Sequence, residues 1–545
     1  FELLANDARG VGYLLKDRVS DLRELSDAVT RVGQGGSVLD PALLPLLVGG
    51  LAIVGAFLTL RVASELTSVS IFALNVATGL GLGLAIDYSL FIVSRYREEI
   101  ARTGPGLEAM RRTLATAGRT ILFSSLTVAG ALASLLVFPQ RFLYSMGIAG
   151  VLIALLTAAI SLTVLPAVLT LLGRRVNALA PGFLARRADR DARPAEESFW
   201  YRLAQLVMRF PGRIAAGAAL LLIALGLPFL GIKFTSVDAP VLPESASARQ
   251  VSDALRGDFP PYRDSPITLA VRGSMQEARL IAGAAARLPG AAAVRPPLKL
   301  ADGTHAVNVI SSDAPLTEQS RRLVRKLRAF DGDVLVTGTT AHYLDLQHSL
   351  GEHLPLALAI VGALTIAVLF TMTGSLILPL KQLLMNALGL SAMFGILVLI
   401  FQAGRLESLL GYTSQGGLEA PQLLLLFAVV FGLSTDYGVF LLARIKEARD
   451  GGYPDSAAVA IGLERTGRII TSASLLFAVA FGAFLSSQII ITKELGLGTA
   501  VAVLIDATII RALLVPALMR LLGIRNWWAP GPLRRLHARI GLAGT

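Results

Sequence analysis

The stretch GLAIDYSLFIVSRYREE, residues 83–99, recurs 349 residues later as GLSTDYGVFLLARIKEA, residues 432–448. Asp87 and Tyr88 fall on Asp436 and Tyr437, Arg95 on Arg444, and Glu98 on Glu447. The same offset carries Gly118 and Arg119 onto Gly467 and Arg468, Ser125 onto Ser474, and Gly147 onto Gly496, then slips by one residue between Pro166 and Pro516. Matches over that length identify an internal repeat, with both copies running in the same direction. Parallel repeats of this kind build several transporter folds.

The chain around these segments is strongly apolar. Its 545 residues are 54% hydrophobic and 16% charged, with a mean hydropathy of +0.64. Soluble domains carry about 25% charged residues, so much of this surface is made for lipid, which excludes most cytosolic enzymes. Cysteine is absent, which removes disulfide frameworks, thiolate metal sites and cysteine nucleophiles, and leaves the redox compartment unreadable. Crossing about 30 Å of hydrocarbon takes roughly 20 apolar residues. Ten stretches qualify, near 43–63, 69–94, 119–138, 142–172, 211–232, 354–373, 376–402, 420–443, 468–487 and 494–521.

Arginines fix the expected orientation. Arg95, Arg97, Arg102, Arg111, Arg112 and Arg119 crowd one loop, and Arg174, Arg175, Arg186, Arg187, Arg190 and Arg193 crowd another. Both loops should be cytoplasmic. With ten spans, the groups around Arg444 and Arg465 and the tail from Arg520 fall on the same side, and both termini lie inside. Topology thus accounts for much of the +12 net charge, and no basic groove interleaved with aromatics points to nucleic acid.

Between about 233 and 353 the hydropathy collapses. Ser265–Arg272 reads as a strand, Met275–Leu288 as a helix, Ala291–Val294 and Ala306–Ser311 as strands, Thr317–Phe330 as a helix and Val334–Thr337 as a strand. The order is that of a βαββαβ, ferredoxin-like α+β domain. It should lie outside the cytoplasm, between the fifth and sixth spans. The expected fold class is therefore an α-helical multi-pass membrane protein of about ten transmembrane helices with a parallel internal repeat and one such domain. Spans two, three and four match eight, nine and ten, and the first would match the seventh. Nothing in the first half matches the fifth span, the soluble insert or the sixth span, so a complete molecule should have twelve spans and two soluble domains.

Asp87 and Asp436 each precede an arginine by eight residues, which places them about 12 Å inside the apolar layer at equal depth. An aspartate there costs about 2.5–3.5 kcal/mol on the insertion scale, so each is a functional candidate. Facing carboxyls in low dielectric can gain and lose protons as their surroundings change, which suits a proton carrier. Tyr88 and Tyr437 offer hydroxyls to the neighbouring helix's carboxylate, and Ser125 and Ser474 could extend the hydrogen-bonded chain. The bland reading is a structural one, with tyrosine hydrogen bonds holding two helices together. Asp506 has Thr157 as its counterpart, lacks symmetry, and reads equally as relay partner or as a pin with Arg511.

Other signals are weaker. Gly79, Gly81 and Gly83 mimic a phosphate loop only as a string, because they lie within a span; close helix packing is the better reading. His342, His348 and His353 lack carboxylate or cysteine ligands at metal spacing and read as surface or interfacial residues. No Walker-type sequence occurs, so a proton gradient, without metal or other cofactor, is the expected energy source.

Over about 45–525 the chain resembles the MmpL-type branch of the resistance-nodulation-division superfamily. The resemblance rests on Gly-Leu-Ala-Ile-Asp-Tyr followed by Ser-Arg-Tyr-Arg-Glu-Glu, the second Asp-Tyr in the eighth span, and Val-Thr-Gly at 336–338. It implies a proton-driven exporter of lipids or other hydrophobic or amphiphilic molecules in the bacterial inner membrane. It also implies a relay of Asp87, Tyr88, Asp436 and Tyr437 in which each aspartate faces the other helix's tyrosine, and makes 233–353 the second porter domain. The family's first span, first porter and second span have no counterpart here. Residues 1–41 instead resemble the end of a response-regulator receiver domain, with Lys16 at the phosphoryl-contacting lysine.

The expected organisation is then a receiver-like fragment at 1–41, a first bundle of four helices at 42–173, a cytoplasmic linker at 174–210, a helix at 211–232, the porter at 233–353, a second bundle of five helices at 354–523 and a basic cytoplasmic tail at 524–545. Its partners would be a lipid-like substrate, membrane lipids, and further copies of itself or accessory envelope proteins, but not nucleic acid. Two competing readings are a non-transporting lipid or sterol-sensing type of membrane protein and an inactive remnant of a fused gene. Efflux of a lipophilic probe separates the first reading from both.

Overall fold

The computed structural model describes residues 12–13, 38–39, 44–66, 68–172, 198–259, 262, 264–300 and 302–539. Of the receiver-like segment only Gly12–Tyr13 and Val38–Leu39 are described, and they pair in parallel; the rest of that reading lies outside the described residues, as do most of the linker and the last six residues of the tail.

Among the described residues ten helices are long and apolar enough to cross a membrane: Leu47–Glu65, Ala73–Thr103, Leu107–Val137, Arg141–Leu171, Pro211–Gly231, Thr339–Thr373, Ile377–Gln402, Ala420–Asp450, Asp455–Ser486 and Ile490–Trp527. They are numbered here first to tenth. Each contains or overlaps one apolar stretch of the sequence, but several are longer. The sixth span starts at Thr339, not near 354, and its 35 residues extend about 52 Å. A helix satisfies its own backbone whatever the solvent, whereas hydropathy marks only the part that meets lipid. For the same reason the third and ninth spans carry polar extensions, starting at Leu107 and Asp455.

The two halves interlock. The first span packs on the second and fourth, and the seventh on the eighth and tenth, as repeat mates should. Between halves, the second span packs on the ninth and the eighth on the third. Glycine makes the contact of the second span with the ninth possible: a Cβ on Gly83 would lie 1.9 Å from the Phe477 ring, and one on Gly79 3.1 Å from the Phe481 ring. Phe477 and Phe481 stack with centroids 4.7 Å apart and fill that groove. Hence the glycine string is a helix-packing face. The second and eighth spans become the enclosed centre, while the fifth, sixth and ninth expose most of their apolar surface.

The insert has strands β1 (Ile267–Arg272), β2 (Ala291–Val294), β3 (Leu298–Lys299), β4 (Thr304–Ser311) and β5 (Val334–Thr337). Their order is β2-β4-β1-β5, all antiparallel, with β3 paired to β4. This is the ferredoxin-like arrangement read from the sequence. Alternation along β1 turns Ile267, Leu269 and Val271 inward. They meet Ala278 and Ala285 of helix Met275–Ala286 and Leu323, Val324 and Leu327 of helix Glu318–Arg328. Gly338, at φ 119°, joins β5 to the sixth span, and a Cβ there would meet the Pro266 carbonyl at 2.6 Å. That explains the glycine of Val-Thr-Gly. A second tie is the parallel pairing of Phe234–Thr235, just after the fifth span, with Leu418–Glu419, just before the eighth.

Candidate functional site

Asp87 lies midway along the second span and Asp436 midway along the eighth. Both are enclosed, at 4% and 0% exposure, as are Tyr88 and Tyr437. The enclosure follows from the interlock, because each host helix is covered by spans of the opposite half.

The pairs cross. Tyr437 shares a small cleft with Asp87, lined also by Phe91, Phe440, Thr466 and Ala473, with room for about one water molecule. Asp436 and Tyr88 meet through Ser124: its hydroxyl donates to Oδ1 of Asp436 and lies 3.3 Å from the Tyr88 hydroxyl. The surroundings are unequal. Asp436 accepts from Ser124, but neither oxygen of Asp87 has a formed hydrogen bond, and neither does the Tyr437 hydroxyl beside it. The repeat explains the difference, since the position equivalent to Ser124 is Ala473.

Ser125, read from sequence as a relay support, donates to the carbonyl of Leu122 on its own helix at 3.0 Å and takes no part. One residue is about 100° of helix rotation, so its neighbour faces the pair instead. Ser474 is buried beside the Tyr437 hydroxyl without a formed hydrogen bond. Asp506 belongs to a wider network. Its Oδ2 accepts from Nε of Arg511 at 2.5 Å and its Oδ1 from the Ser434 hydroxyl at 2.6 Å. Arg511 also donates to the Ser434 carbonyl, and its guanidinium lies 5.5 Å from the Tyr437 ring. Asp506–Leu514 is π-helical, a distortion often found at functional positions.

Sequence reasoning missed the continuation of this network into the seventh span. Gln382 donates to Asn386 at 2.7 Å, and Asn386 donates to Thr435 at 2.8 Å. Two amides four residues apart inside an apolar run were the available signal.

Toward the arginine-rich end the halves are tied by charge. Arg95 pairs with Glu98 at 2.9 Å, Glu99 at 3.1 Å and Glu447 at 3.0 Å, while Arg444 pairs with Glu98 at 3.1 Å and Glu447 at 3.0 Å. Arg95 and Arg444, expected as loop charges, are thus only 4% and 3% exposed and form a crossed lattice between the second and eighth spans. Of the histidines, His348 pairs with Glu352 and His353 with the Ser349 carbonyl. No group of side chains suited to a metal occurs among the described residues.

Two parallel helical halves meeting on crossed Asp-Tyr pairs, with a ferredoxin-like insert in one half, define a multi-pass membrane protein of the resistance-nodulation-division type. Residues 36–214 and 271–540 match the MMPL family, and the chain belongs to it. It is 41% identical to SCO6666, a membrane protein of Streptomyces coelicolor, over 92% of this chain and 70% of that one. It is 37% identical to the trehalose monomycolate exporter MmpL3 of Mycolicibacterium smegmatis, over 92% of this chain and 54% of that one. The mycolic acid-containing lipids exporter MmpL11 of the same organism is 31% identical, with 92% and 54% covered. The chain therefore spans about half the length of these two exporters. It is a multi-pass protein of the bacterial inner membrane.

Proposed function

We propose that this chain carries out proton-driven export of a lipid or other hydrophobic amphiphile, with Asp87, Tyr88, Asp436 and Tyr437 as the proton-carrying groups and the arginine-rich end and both termini in the cytoplasm. The observation that carries the reading is the convergence of two enclosed carboxyls from equivalent places in the two halves. Lipid-exporting relatives support the substrate class.

In this scheme Asp87, beside the cleft and without a donor, exchanges its proton with water there. Asp436, with Ser124 and Tyr88, is the partner to which charge is passed across the interface. Asp506 stays paired with Arg511 and holds that cation against Tyr437. Adding a proton to one carboxyl changes the charge balance at the contact between halves, so the two protonation states favour different packings of one half on the other. The movement reaches the soluble domain through the sixth span, one helix from Thr339 to Thr373, and the Phe234–Thr235 pairing.

Flux of a lipophilic probe from proteoliposomes under an imposed proton gradient tests this. The scheme requires flux that collapses with the gradient and is lost in Asp87→Asn and Asp436→Asn proteins of normal insertion. Lipid binding without flux would favour a sensor instead.

A further inference from the structure

Away from the paired aspartates, the arginine-rich end holds a basic cavity that the transport scheme does not use. Helix Phe199–Arg209, in the expected linker, docks on the ninth span, where Trp200 lies so close over Gly467 that a Cβ there would be 2.5 Å from the ring. The chain then turns at Phe210, and the fifth span begins at Pro211. Between this elbow, the start of the ninth span and the end of the tenth is a cavity of about 510 Å³ lined by Gln205, Leu206, Met208, Arg209, Ser456 and Arg520.

Its chemistry selects an anion. Arg209 and Arg520 bring two guanidinium groups, and neither forms an ion pair or hydrogen bond with a described residue; the Arg209 guanidinium lies over the Phe210 ring, 5.5 Å from its centroid. Gln205 and Ser456 add an amide and a hydroxyl, and no carboxylate is among the described lining residues. Guanidinium forks match the oxygens of a phosphate. The apolar surroundings point to a lipid as the source. The cavity lies beside Pro211, the first residue of the apolar fifth span, and Phe199, Leu206 and Phe210 remain 68%, 57% and 44% exposed on and beside the same helix. An amphipathic helix with arginines beside such a face lies at the headgroup boundary.

We propose that this cavity binds the phosphodiester headgroup of an anionic phospholipid, with Arg209 and Arg520 as its ligands. The site ties the amphipathic helix, and the fifth span that follows it, to the ninth and tenth spans through a lipid molecule.

Native mass spectrometry of the full chain in detergent, titrated with phosphatidylglycerol or phosphatidylcholine, tests the assignment. The first phosphatidylglycerol should bind at least tenfold tighter than the first phosphatidylcholine. Arg209→Gln and Arg520→Gln should each weaken it about fivefold, whereas the Arg209→Lys, Arg520→Lys pair should retain most of the preference. Equal binding of the two lipids by the unaltered protein, which needs no variant to fold, overturns the proposal. So does undiminished preference in the double glutamine variant. Displacement of the lipid by millimolar inorganic phosphate would assign the cavity to a free anion and overturn the lipid assignment.

Discussion

Asp87 and Asp436 hold equivalent places in a repeat but have unequal neighbours, and the inequality comes down to Ser124 against Ala473. Ser124→Ala removes the donor of Asp436 and should slow proton-coupled flux about 3- to 10-fold, the effect of one lost hydrogen bond, while Ser125→Ala should leave it unchanged in the same assay. Ala473→Ser would give Asp87 a donor and make the two sites alike, which should also slow flux by a few fold. A separate titration belongs to Glu419, just outside the eighth span, where burial pushes the carboxyl up from 4.5 to about 7. A raised pKa in the folded state stabilises the protein fully below the unfolded value and loses that contribution as pH rises through the folded one. Thermal unfolding in detergent should therefore show stability falling between about pH 4.5 and pH 7, with a shallower fall in Glu419→Gln. At this scale much of the site was legible, because Asp87, Tyr88, Asp436 and Tyr437 stand out once the repeat is aligned. Ser124 was not legible, since alignment draws attention to Ser125 and Ser474, whose matched identities say nothing of which face each occupies.

Among the elements, the second span shows how local sequence sets a contact between halves. Gly79 and Gly83 leave a groove into which the Phe477 and Phe481 stack fits. Gly83→Leu should destabilise the protein by about 1–3 kcal/mol through overpacking, seen as a lower unfolding temperature, and Phe477→Ala in the same chain should recover part of the loss. A gain from Gly83→Leu alone would refute this packing. The spans themselves were legible from hydropathy, but their ends were not. Thr339 to Leu354 is helical without being apolar, and residues 199–209 form an amphipathic helix of 11 residues, too short to register in a search for runs of about 20 apolar residues.

For the whole molecule, the lattice of Arg95, Arg444, Glu98, Glu99 and Glu447 joins the halves at one end. Any rocking of one half on the other must rearrange it. The chain has no cysteine, so a pair introduced as Glu98→Cys and Glu447→Cys and bridged by a short thiol-reactive linker reports on that motion without background. Bridging should abolish probe flux, and a cleavable linker should restore it on reduction; full flux in the bridged protein would exclude rocking at this interface. The repeat revealed two equivalent halves, but not that opposing arginines and glutamates would pair across them, because positive charge near a span end reads first as a loop signal.

Proton-driven export requires the paired aspartates to change protonation. Infrared difference spectra of the reconstituted protein, taken between the pH values of the two membrane faces, report this directly through the carboxylic acid carbonyl band. The band should grow on acidification, be reduced in Asp87→Asn and in Asp436→Asn, and be smallest in the double variant. An identical band in the double variant would contradict proton carriage by this pair.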